Sequence, residues 1–204
     1  YRPNRSAHHA IAKAERFIRH YGLDHVVDMD LSKCFDTLDH GQILSSVNEK
    51  VSDGKVLNLI DSFLKSGIVD EGKFEPTEKG CPQGGIISPL LTNIYLNRFD
   101  QYMKALGIRI VRYADDILVF AFRKSDAGRY MAIATAYLEE ELKLRVNQKK
   151  THLTSLDQGI PYLGFKITNI GVLVSEKSTR KFKEKVRRLT PRNQGYRLDY
   201  YLTE

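Results

Sequence analysis

Two adjacent aspartates, Asp115 and Asp116, sit between two short runs rich in β-branched and aromatic residues, 108–113 and 117–122. A third, Asp30, ends another such run that begins at His25. Carboxylates are hard oxygen donors. Two or three held close together suit magnesium, which keeps much of its water and takes only a few carboxylates besides phosphate oxygens. Two such ions about 3.5–4 Å apart can stabilise both the attacking and the leaving oxygen of a displacement at phosphorus. Without cations such a cluster is costly, about 4 kcal/mol per pair at 4 Å and an effective dielectric of 20. The metal-free site is therefore expected to be loose or partly protonated. Asp-Asp by itself is weak, because aspartates are common in turns for their own backbone hydrogen bonds. What raises this pair is its setting: apolar strands on both sides, a second strand ending in Asp30, and a Gly/Pro-rich loop at 80–85 between them.

Asp30 and Asp115 are 85 residues apart, so the elements around them must bring them together. Ser6 can cap a helix whose apolar stripe is Ala10, Ile11, Ala14, Phe17, Ile18 and Tyr21, with Gly22 as its stop. The run 25–31 reads as a strand with Val27, Met29 and Leu31 on one face and Val26, Asp28 and Asp30 on the other. Helices follow at 42–50 and 55–66, then a small hairpin over 68–79 around Glu71-Gly72, the loop 80–85, and a helix over 89–103. The runs 108–113 and 117–122 form a hairpin with the two carboxylates at its tip. Met131, Ala134, Leu138 and Leu142 mark another helix, followed by a strand at 151–156, a hairpin over 162–174 turning at 169–171, and a basic helix.

Stripped of insertions, this order is β-α-β-β-α-β, the split βαβ or ferredoxin-like arrangement of an α+β fold. In it the first and third strands are neighbours at the sheet centre, so Asp30 and Asp115 are expected to converge. Asp28 lies on the same strand face roughly 6.6–6.8 Å further back and reads as a tuning or hydrogen-bonding group. Asp36 reads as the cap of the turn that follows it.

The 204 residues suffice for one compact domain with appendages. The composition, 42% apolar and 28% charged, is that of a folded chain. No run approaches the twenty or so apolar residues of a membrane span. Cys34 and Cys81 form no ligand pattern and fit a reducing, cytoplasmic setting. A net charge of +7 favours a polyanionic partner. The excess concentrates in 177–192, with eight Lys and Arg against one Glu; Phe182, Val186 and Leu189 recur there at helical spacing. That pattern predicts a packed helix whose outer face can track phosphates, with a plainly solvated helix as the competing reading.

Six motifs in one order resemble the reverse transcriptases of group II introns, the intron-encoded maturases. Tyr1-Arg2-Pro3-Asn4-Arg5-Ser6-Ala7-His8 resembles F-R-P-G-R-S-A-H-D. Asp30-Leu31-Ser32-Lys33-Cys34-Phe35-Asp36 with Asp39-His40 is similar to the family's first catalytic strand. Pro82-Gln83-Gly84-Gly85 followed by Ser88-Pro89-Leu90-Leu91-Thr92-Asn93-Ile94 resembles P-Q-G-G…S-P-L-L-x-N-I. Tyr113-Ala114-Asp115-Asp116 matches Y-A-D-D, Asn147 to Thr151 resembles N-P-E-K-T, and Tyr162-Leu163-Gly164-Phe165 resembles the F-L-G-F hairpin that grips the primer.

The resemblance implies a polymerase right hand: partial fingers at 1–24, palm at 25–67, a fingers–palm insertion with the nucleotide-binding loop at 68–88, palm with the primer-grip hairpin at 89–175, and a linker with the start of the thumb at 176–204. It implies that Asp30, Asp115 and Asp116 hold two Mg²⁺, for which Mn²⁺ could substitute, with Asp116 the more peripheral ligand and Leu31 offering a backbone carbonyl. By the same resemblance, Phe35 excludes a ribose 2′-hydroxyl, Gln83 and Gly84 meet the incoming nucleotide, and Lys150 is a general acid toward pyrophosphate. The implied partners are an RNA template, intron RNA, a DNA primer and dNTPs, with no membrane, in a bacterial cytoplasmic, RNA-associated setting. The similarity begins inside the fingers and ends at the thumb, so a piece of a longer protein is expected, weak or inactive alone. The alternatives are an RNA-binding splicing cofactor whose polymerase site is unused, or a retron, diversity-generating or CRISPR-associated relative.

Overall fold

A computed structural model describes residues 4–70, 73–75, 78–81 and 85–190, with backbone alone at 68–70 and 73–75. The chain divides into two compact units, Tyr1–Ser155 and Leu156–Glu204.

The first unit opens with α1 (Ala7–Tyr21), whose ends follow from single residues. Ser6 is extended and its hydroxyl accepts from the His9 N–H; Gly22, at φ 64, lets its own N–H and that of Leu23 return to the Ile18 and Phe17 carbonyls. The buried stripe is Ile11, Ala14, Phe17 and Ile18. Next come β1 (His25–Met29), β2 (Leu31–Ser32), the short α2 (Cys34–Thr37), α3 (His40–Asn48), α4 (Gly54–Leu64), the hairpin β3 (Ile68–Asp70) and β4 (Lys73–Glu75), and the long α5 (Ser88–Ala105). Then follow β5 (Arg109–Tyr113), β6 (Asp116–Ala121), α6 (Lys124–Ala136) running into a π-helical turn (Tyr137–Glu141), β7 (Arg145–Val146) and β8 (His152–Ser155).

The central sheet has the order β5-β6-β1-β8, antiparallel throughout. Numbered by the split βαβ pattern, that is second, third, first, fourth, so the first and third strands are neighbours as the element order predicted. Strand alternation divides the core. Val27, Met29, Ile117, Val119 and Ala121 belong to the cluster built with Leu91, Tyr95, Leu96 and Phe99 of α5 and Ala127 and Ala134 of α6. Val26, Leu118 and Phe120 occupy the other face, where the Phe17 ring of α1 meets Phe120 edge-on at 5.3 Å. Asp28 and Asp116 share this second face by alternation.

Three details depart from the expected elements. The strand 25–31 is interrupted at Asp30, because the main chain there turns to a different partner. α2 was not foreseen: Lys33 enters the left-handed region at φ 48 and starts a single helical turn. Asp36 therefore falls inside that turn, and the cap of the following helix α3 is Asp39, whose Oδ1 accepts from the Gln42 N–H at 2.8 Å. The helix expected through Leu142 widens at its end, where the Leu142 N–H donates to the Tyr137 carbonyl; Leu138 and Leu142 are both fully buried.

The second unit contains β9 (Ile160–Tyr162), β10 (Phe165–Thr168), β11 (Gly171–Val174) and α7 (Glu176–Leu189). The strands form a meander of order β11-β10-β9. Its first turn is Leu163-Gly164, both at positive φ (48 and 82), the geometry of a tight two-residue hairpin. α7 is capped by Ser175 and buries none of its residues; Phe182 is 69% exposed. Within its own unit no described element covers its apolar stripe. No helix among the described residues is long and apolar enough to cross a membrane.

One junction ties the first unit's loops tightly. The Gly80 N–H donates to the Leu38 carbonyl and the Cys81 N–H to the Phe35 carbonyl, both at 2.7 Å, while buried His40 bonds the Gly80 carbonyl through Nε2. Gly80 has φ 84, and a Cβ there would stand 2.7 Å from Asp36 backbone atoms. Gly80→Ala should therefore destabilise by more than the roughly 1–2 kcal/mol of a left-handed alanine alone. At about 2–4 °C per kcal/mol for a chain of this size, thermal denaturation will show the loss; an unchanged Tm would mean this junction does not hold the loop.

Candidate active site

The site begins where β1 ends. The Asp30 N–H donates to Thr151 Oγ1 at 3.3 Å, and its carbonyl accepts from the Asn147 N–H at 2.8 Å. Leu31 then pairs with Val146. Both backbone groups of Asp30 are thus taken by the segment before β8, which draws its main chain out of the β1–β6 ladder. Lys150, on the same segment, places Nζ 3.4 and 3.5 Å from the two Asp30 carboxylate oxygens. This ion pair is solvent-exposed, with the lysine 67% accessible, and such pairs contribute roughly 0–1 kcal/mol.

The β5–β6 hairpin supplies the other carboxylates. Tyr113 pairs with Asp116, so the turn is Ala114-Asp115, with Ala114 at φ 54. The last β1–β6 rung is Met29 opposite Ile117. One step further along both strands stand Asp30 and Asp116. The charges agree with that register: although Asp116 is exposed at the strand's end, its carboxyl is pushed up to about 6, by partial desolvation first and then by Asp115, Asp28 and Asp30. Asp116 thus senses all three other carboxylates. Asp115 lies toward the Asp30–Cys34 segment, since its charge is the second cause, after burial, that pushes the Cys34 thiol up to about 12. Asp28, opposite His152 in β8, is raised by burial and by Asp30 and lowered by His152.

Among the described residues, no three Asp, Glu, His or Cys side chains are grouped closely enough to hold an ion. The donor set nevertheless suits hard divalent cations: carboxylate oxygens on adjacent strands, one with a raised pKa, and the buried Leu31 side chain leaving only main chain to offer. Phe35 is half-buried in α2, and its carbonyl holds Cys81 at the start of the Gly-rich loop. Gln83 and Gly84 lie outside the described residues.

Sequence reasoning missed what holds the hairpin. Arg112 side-chain exposure is 4%. Its guanidinium forks onto Asp100 of α5 (Nε to Oδ1 2.7 Å, Nη2 to Oδ2 2.6 Å), while Nη1 reaches Asn93 Oδ1 at 3.1 Å and the Ala114 carbonyl at 2.8 Å. One side chain therefore bolts the turn to α5, using the planar donor geometry that lysine lacks. The available signal was an arginine alternating with Val111 and Tyr113 in an apolar strand, which requires a buried partner.

Asp116 has a folded-state pKa above its ordinary value, so its ionisation opposes folding above pH 6 and the penalty disappears as pH falls toward 4. In chelator, Asp116→Asn should raise Tm by a few degrees at pH 8, with the gain shrinking below pH 6. Added Mn²⁺ should stabilise the wild type and not the variant. A variant no more stable than wild type at pH 8 would contradict the crowding.

The comparisons with known proteins agree with this geometry. A family model described as "Reverse transcriptase (RNA-dependent DNA polymerase)" matches residues 1–167. Protein YkfC of Escherichia coli (strain K12) is 31% identical over 204 residues, covering 82% of this chain and 54% of YkfC. The group II intron-encoded protein LtrA of Lactococcus lactis is 36% identical over 124 residues, 61% of this chain and 20% of LtrA. The chain thus spans about half of the first relative's length and a fifth of the second's. Among solved structures, apo telomerase from Candida tropicalis aligns with TM-score 0.66 at 13% identity, over 84% of this chain and 36% of that one. Telomerase from Candida albicans in complex with a fragment of telomeric RNA aligns with TM-score 0.64 at 14% identity, over 91% and 37%. At such identity these two show the fold alone, the polymerase right hand expected from the motifs. The resemblance to group II intron enzymes is borne out, and the chain belongs to the reverse transcriptase (RNA-dependent DNA polymerase) family.

Proposed function

We propose that this chain is the catalytic core of a group II intron reverse transcriptase that extends a DNA primer with dNTPs on an RNA template, and that also binds intron RNA to assist splicing. The observation that carries the reading is the coupling of Asp116 to Asp28, Asp30 and Asp115 at one end of the sheet, in the register β1–β6 dictates. Reverse transcriptases as a family use divalent metal ions. Here Asp30, Asp115, Asp116 and the Leu31 carbonyl would hold two Mg²⁺, which supply charge stabilisation at the attacking and leaving oxygens.

The chain's own residues do the rest. A primer 3′-hydroxyl attacks the α-phosphorus; its O–P bond forms as the bond to pyrophosphate breaks, the hydroxyl proton passing to solvent water and one proton being taken up by the leaving group. Lys150 is suited to give that proton, because its weak, exposed pair with Asp30 can be exchanged for phosphate once Asp30 has another counter-charge. Phe35, half-buried beside the Gly-rich loop, would stand against the sugar 2′ position and favour deoxynucleotides. Gln83 and Gly84 would meet the nucleotide, the glycine allowing close backbone approach. Arg112 positions the turn that carries Asp115.

In the full-length protein, Asp115→Ala with Asp116→Ala should abolish primer extension while intron RNA binding and splicing assistance persist. Extension that survived both changes would sink the metal assignment. Arg112→Lys keeps the charge but loses the fork, and a misplacement near 1 Å can cost on the order of 10²-fold. Steady-state kinetics should show kcat falling by about that factor with little change in KM for dNTP; an unaltered kcat would make Arg112 merely structural.

A further inference from the structure

Two cavities line α1 on the side of the sheet edge strand β5. The larger, about 930 Å³, lies between α1, the C-terminal half of α5 and β5. The smaller, about 460 Å³, reaches Asn93 and the Tyr113-Ala114 end of the hairpin. They share Arg5, Lys13 and Arg112 and so form one groove. Arg5, Lys13, Arg16, Lys104 and Arg109 line it, and all five are exposed. The carboxylate in the lining is Asp100, already engaged by Arg112. Among the described lining residues these cations outnumber the carboxylate, and a surface of that sign favours a polyanion.

Aromatic rings organise the charges. The Arg109 guanidinium lies 5.6 Å from the Phe17 ring centroid and 5.1 Å from that of Tyr21, and Lys13 Nζ lies 5.4 Å from Phe17. Tyr21 remains 45% exposed beside Arg109. A guanidinium plane next to an accessible tyrosine is a stacking surface for an unpaired base, and the surrounding cations suit the phosphates on either side.

We infer that this groove binds the backbone of a partly single-stranded RNA segment that is not being copied, outside the carboxylate cluster. The inference rests on the proposal that the protein handles RNA, and it adds where a second RNA segment is held.

The test is fluorescence anisotropy of a labelled RNA stem with an unpaired flank, measured across a salt series with the full-length protein. Lys13→Gln with Arg16→Gln and Lys104→Gln should weaken binding at least tenfold. The slope of log affinity against log salt should flatten by about two to three, since each phosphate left without its cation removes roughly 0.7–0.9 from it. Lys13→Arg with Arg16→Lys and Lys104→Arg should retain binding, and Tyr21→Ala should weaken the flanked RNA more than a blunt duplex. Turnover on a pre-annealed primer–template should be unchanged in the glutamine variant. Unchanged affinity and slope would overturn the inference, as would a variant that loses only self-association in sedimentation. If wild-type protein extends no primer yet the glutamine variant still loses RNA, the polymerase proposal fails and the groove stands.

Discussion

Mutual repulsion among Asp28, Asp30, Asp115 and Asp116 is the constraint around which the first unit is organised. Antiparallel pairing of β1 with β6, ending at Met29 and Ile117, leaves Asp30 and Asp116 at the next positions of the two segments, and alternation adds Asp28 to the Asp116 face. Asp116 is exposed at the strand's end, yet partial desolvation and its three carboxylate neighbours raise its carboxyl to about 6. Lys150 supplies opposite charge to Asp30 and His152 lowers the Asp28 carboxyl, while Thr151, Asn147 and Arg112 hold the backbone beside the cluster. A fold seeking stability alone would place apolar residues here. The arrangement makes sense for a site completed by cations and a charged substrate.

The two faces of the sheet divide the work. One is sealed by α5 and α6 around Tyr95, Phe99 and Leu138, all fully buried, and provides the rigid floor. The other is covered by α1 only in part, through Phe17 and Ile18, and keeps its acidic end open. Arg112 connects the two, since its guanidinium is anchored on α5 beneath the floor and ends on the carbonyl of the hairpin turn above.

Much of this was legible in the chain. Ser6, Gly22 and the stripe between them specified α1 to its ends, because caps and periodicity are local. The order of strands and helices specified the sheet, because few topologies accommodate β-α-β-β-α-β. What escaped depended on distant partners. The interruption of the strand at Asp30 exists because Thr151 and Asn147 compete for its backbone groups, and nothing near Asp30 announces them. The helical turn at Cys34–Thr37 hangs on a single positive φ at Lys33, a residue with no preference for it. Arg112 was passed over because a strand reading sorts residues into apolar and polar, and a buried arginine is neither. For α7 the hydrophobic spacing was real, yet periodicity says which face is apolar and not whether anything covers it.

The two bonds that tie Asp30 to Asn147 and Thr151 also bear on how such enzymes can be recombined. They join the segment around residues 30–32 to that around 145–151 across more than a hundred positions, with Lys150 riding on the second and touching the first. A chimera that inherits one of these stretches from a different parent would mix the main-chain partner of Asp30 with a foreign register. Crossover points placed outside both stretches, or swapping both as a single block, keep that register intact.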